Sequence, residues 1–70
     1  MLSSEIIELL KEAISIGGFV MFLDLINSNF IPPWFDVNSE DTLGLSLMDL
    51  AATTANSALI NYLKGILELF

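Results

Sequence analysis

The sequence predicts an all-α chain: a two-helix antiparallel hairpin around a breaker-rich loop, completed by packing against other copies. Three observations point there. Apolar residues recur at helical spacing on both sides of a central stretch that holds Pro32, Pro33 and Gly44. The chain has 70 residues, of which 54% are hydrophobic and 16% charged, with a mean hydropathy of +0.73. An ordinary soluble domain is roughly 25% charged, and a chain this short buries only about 60% of its unfolded surface when it folds alone. Large apolar side chains are therefore expected to be left over, and other copies would cover them.

The first helix is expected over about 4–29, within a single domain 1–70. Ser3 and Ser4 are capping residues, and Glu5 and Glu8 follow in the first turns, where the helix dipole favours carboxylates. One apolar stripe runs Ile6, Leu9, Leu10, Ala13, Ile16, Val20, Leu23; a second runs Ile7, Ile14, Met21, Leu25. From Ala13 to Ile26 the helix is apolar nearly all round, which calls for burial by protein or lipid. Asn27, Ser28 and Asn29 weaken it, and Pro32 and Pro33 end it.

Residues 31–45 read as the loop, with polar turn chemistry from Asp36 to Thr42 and with Trp34 and Phe35 as its apolar elements. The second helix is expected over about 46–69. Ser46 followed by Asp49 resembles a capping box. Its stripes are Met48, Ala51, Ala55, Leu59, Tyr62, Ile66, Leu69 and Ile60, Leu63, Leu67, Phe70, with a small and polar middle from Ala51 to Ala58.

Two straight helices of this length, each about 38 Å long, would meet in a definite register. Gly17 and Gly18 would face Ala55 and Ala58 as a close-packing site, with a kink at the glycines as the alternative. Glu12 would reach Lys64 as an ion pair. Asp24 would find Thr53 and Asn56 as a polar network.

The chemistry is bounded by what the chain lacks. There is no His and no Cys, so disulfides, Cys/His zinc sites and His- or Cys-based catalysis are excluded. Asp36 to Asp41 begins like a calcium loop, but Asp41 and Leu47 stand where that motif needs Gly and Glu. The sequence offers no catalytic, cofactor-binding or metal-ligating residues, and neither an enzyme nor a small-molecule substrate is expected. Two basic residues against nine acidic ones give a net charge of −7 and a pI of about 4.1. That balance disfavours direct nucleic-acid binding and anionic headgroups.

The function expected is that of a structural, self-assembling subunit in a virion coat, filament or shell. Phe19, Phe22, Leu25, Trp34, Ile60, Leu63, Leu67 and Phe70 would form the interface between copies. A virion or extracellular assembly is the favoured location. In size and apolarity the chain resembles the short two-helix coat subunits of some filamentous and spindle-shaped viruses and conjugative pilins, a likeness that no motif carries.

One alternative is a small membrane subunit or pore-forming hairpin with lipid as its partner. The stretch 13–35 has Asp24 as its one charge, but at the centre of a bilayer that carboxylate costs about 3 kcal/mol. The N-terminus, with Glu5 and Glu8 before the apolar run, does not read as a signal peptide. A further alternative is a soluble dimeric four-helix module that regulates a partner.

Overall fold

The computed structural model describes residues 2–68, with side chains through Ile66. It is all-helical: α1 spans Ser3–Ile26, α2 Leu47–Thr53 and α3 Ser57–Glu68. In place of a two-helix hairpin, the expected second helix is two helices, and α1 is bent.

The start of α1 is set by Glu5 rather than by the serines. Leu2 is extended (φ −78°, ψ 152°), and its N–H donates to Glu5 Oε1 at 2.9 Å. Ser3 and Ser4 lie inside the first turn. The bend is at Gly18, whose φ of 71° and ψ of −160° are non-helical. That region of backbone space is essentially reserved for glycine. The helix stops at Ile26, earlier than expected, where Ser28 Oγ donates to the Leu25 carbonyl at 2.6 Å and competes for the last helical acceptors.

The long connection 27–46 is a series of turns. Phe35 N–H closes on the Pro32 carbonyl, and Asn38 N–H donates to Asp36 Oδ1 at 2.9 Å. An isolated antiparallel bridge pairs Glu40 with Ser46. Then α2 begins on the capping box: Asp49 N–H donates to Ser46 Oγ at 3.2 Å, and Ser46 N–H donates to Asp49 Oδ2 at 2.8 Å.

The break between α2 and α3 has a local cause. Thr53 and Thr54 turn their hydroxyls back onto the Asp49 and Leu50 carbonyls, both at 2.8 Å. Ala55 takes a left-handed φ of 53°, and Asn56 N–H closes on the Ala51 carbonyl. This is a Schellman-type stop with alanine in the position that usually holds glycine. Asn56 then starts α3, its Oδ1 accepting from Leu59 N–H at 3.1 Å.

The core is drawn from all three helices: Ile6, Ile7, Leu10 and Phe22 of α1, Leu47 and Ala51 of α2, and Leu59 and Leu63 of α3. Ala13 is also buried. Before the bend Ile16 falls on the same side as Glu5, Glu8 and Glu12 and is exposed, and the bend rephases α1 beyond it, so the stripe that begins with Ile6 and Leu10 does not continue through Val20. Phe22 turns inward instead. Its ring lies 5.8 Å from Phe19 and 5.5 Å from Tyr62 of α3, the latter edge-on at 84°.

The result measures 29 × 28 × 24 Å, too small to hold two straight helices of hairpin length. Its radius of gyration, 11.1 Å, matches the ~11 Å of a compact domain of this length. Its accessible surface, 4491 Å², is close to the ~4300 Å² expected of a folded monomer of this mass.

Candidate functional site

The side chains that face solvent are organised by one charged contact. Lys11 Nζ donates to Asp41 Oδ2 at 2.7 Å and to the Leu45 carbonyl at 2.9 Å. Both side chains are largely buried, at 17% and 10% exposure. Asp41 Oδ1 accepts from the N–H groups of Leu43 and Leu45, and Gly44 supplies the left-handed residue that closes this turn (φ 80°). Glu8 adds a second tether, its Oε2 accepting from the Thr42 N–H and hydroxyl. The loop before α2 is thus fastened along the first half of α1.

The Lys11 ammonium holds the Asp41 carboxyl below its ordinary range. The Leu45 N–H acts in the same direction, partial burial opposes it, and the Leu43 N–H lowers it further.

This pairing replaces the expected Glu12–Lys64 ion pair. Glu12 and Lys64 are both exposed, and Lys11–Asp41 is the ion pair among the described residues. With Lys11 engaged, the accessible charge is strongly acidic. Glu5, Glu8, Glu12, Asp24, Asp36, Glu40 and Asp49 are exposed, and among the described residues only Lys64 stands against them as an exposed cation.

The expected polar network does not form among the described residues. Asp24 is exposed, Thr53 bonds to its own helix, and Asn56 caps α3. Nor does the close-packing site. A Cβ placed on Gly18 would meet nothing within 4 Å, one on Gly17 would meet Met21 of the same helix at 2.6 Å, and Ala55 and Ala58 are exposed. The glycines serve the bend.

The residues expected between copies are divided by the fold. Phe22 and Leu63 are core, Phe19, Leu25 and Ile60 are half-buried against it, and Trp34 is 60% exposed. The Leu67 side chain and Phe70 lie outside the described residues.

The apolar surface that remains is elsewhere. Ile16 and Val20 are each 70% exposed on α1, with Met21 beside them. Phe30, Leu43 and Leu45 are exposed on the connection. The bend opens a groove of about 330 Å³ lined by Ala13, Met21, Asp24, Leu25 and Ser28. Gly17 makes this shape, because its missing side chain lets Met21 lie back across the helix.

Sequence reasoning assigned Ile16 and Val20 to the buried stripe. The signal for Ile16 was its spacing from Glu5, Glu8 and Glu12, and the signal for Val20 was the glycine pair, read as a change of helical phase. A second groove, about 420 Å³, lies between Lys11, Ile14 and Ser15 of α1 and Leu50, Thr54 and Asn56. Lys11, Thr54 and Asn56 there already have partners within the fold.

Among the described residues no helix is long and apolar enough to cross a membrane, and no cluster of three or more acidic side chains could hold a metal ion. No protein family, curated protein or solved structure matches the chain.

Proposed function

We propose that this chain is a small acidic binding module, acting by holding another protein against the solvent side of α1 rather than by catalysing a reaction. The observation that carries this reading is the exposed apolar set Ile16, Val20 and Met21 on α1, the last lining a groove, on a chain that closes its core with its own three helices. Apolar side chains left out of a completed core are the usual anchors of protein contacts. Light-scattering mass and negative-stain images of one detergent-free sample test the reading. A discrete small species is expected. Filaments or large uniform particles would overturn it.

Those particles would instead favour the second reading, a self-assembling coat, filament or shell subunit completed by packing between copies. Phe30, Trp34, Leu43 and Leu45 support that alternative, because they extend the exposed apolar surface from the helix onto the loop.

A further inference from the structure

We infer that the solvent face of α1 is a docking site for a cationic amphipathic helix of a partner protein, an inference that rests on the binding-module reading and names its partner. Its apolar part is the exposed Ile16, Val20 and Met21, of which Met21 lines a groove together with Leu25 and the buried Ala13. Glu5, Glu8, Glu12 and Ile16 follow at spacings of three and four residues, so they share one side of the helix, and all are exposed. Asp24 lies on the rim of the groove at the other end. The apolar patch is therefore bracketed by carboxylates, Glu12 before it and Asp24 after it.

Charge selects the occupant. An apolar stripe between carboxylates fits a helix that carries its own apolar anchors at i, i+3 and i+4 and Lys or Arg beside them. A second copy fits poorly. It brings another net charge of −7, so its exposed carboxylates would face those of the first copy. An anionic lipid surface meets the same repulsion. The groove itself suits a protein side chain. Its wall is Met21, a flexible and polarisable residue that adapts to what enters.

Three synthetic helical peptides of equal length serve as probes. One has Leu and Lys with the leucines at i, i+3 and i+4 spacing, the second is a scramble of it, and the third has Glu in place of Lys. Each is titrated by fluorescence anisotropy against the whole chain, with backbone amide shifts to locate it. The patterned Leu/Lys peptide should bind, with shifts centred on residues 12–28. Val20→Ser should weaken it about tenfold, as loss of a central anchor does. Asp24→Asn should weaken it about threefold, in proportion to a rim charge. Asp36→Asn, outside the groove, should leave it unchanged.

Equal binding of the scramble, equal loss from Asp36→Asn, or no binding overturns the inference. If the Leu/Glu peptide seats on residues 12–28 instead, the cationic partner is refuted while the binding-module reading survives. Large particles in the scattering measurement refute that reading itself.

Discussion

Replacing Gly18 by alanine should destabilise the protein, although the residue lies within α1. In a straight helix the same change would stabilise by about 1 kcal/mol, because glycine is the poorer helix former. At Gly18 the backbone sits at φ 71° and ψ −160°, where a residue with a Cβ is strained by about 1–3 kcal/mol. No neighbour within 4 Å complicates the comparison, so the change isolates the backbone.

Gly65 of α3 is the matched control. It is helical and exposed, with open space where a Cβ would go, so Gly65→Ala should gain about 1 kcal/mol. In a domain of this size each kcal/mol moves Tm by about 4–8 °C. Thermal and urea melts followed by circular dichroism would therefore show the two variants moving in opposite directions. A Gly18→Ala protein that melts above the parent would refute the bend, and with it the groove and the exposure of Val20.

Other outcomes follow from the same contacts. Phe22→Ala removes a fully buried ring with two aromatic neighbours and should cost about 3–5 kcal/mol, read by urea denaturation. Ala55→Gly should stabilise by about 1 kcal/mol, because glycine adopts the left-handed stop between α2 and α3 without strain; a lower urea midpoint would contradict that stop. Asp41 is held below its ordinary value of 3.8, so its contribution to stability is present above that pH and lost as the pH falls through its lower folded value. Urea midpoints measured down the acid limb should fall less steeply for Asp41→Asn than for the parent.

Local chemistry made part of this fold legible in the sequence. The all-α class, the start of α2 at Ser46 and Asp49, and the breaker-rich connection all follow from spacing and capping within a few residues. Thr53, Thr54 and Asn56 also carried a local message, a helix stop and restart, but the apolar stripe running through them reads as one helix. Two features were not legible. From Ala13 to Ile26 α1 is apolar nearly all round, so its periodicity does not say which face the core takes. The answer depended on the phase change at Gly18, which buries Phe22 and leaves Val20 outside. The Lys11–Asp41 pair joins positions 30 residues apart, and only the path of the intervening loop brings them together. The candidate surface was therefore hidden for the same reason as the bend, because its residues looked like core.

The engagement of Lys11 also decides how the protein meets covalent chemistry. Its amine is bonded to a carboxylate and a carbonyl and is largely shielded, so acylating reagents reach it poorly. Among side-chain amines, Lys64 on α3 is the accessible one. Between the two lysines, amine-directed dyes, cross-linkers and surface-coupling reagents would choose Lys64 on the third helix over Lys11 on the first. A probe fixed in that way views the first helix from elsewhere on the molecule without touching it.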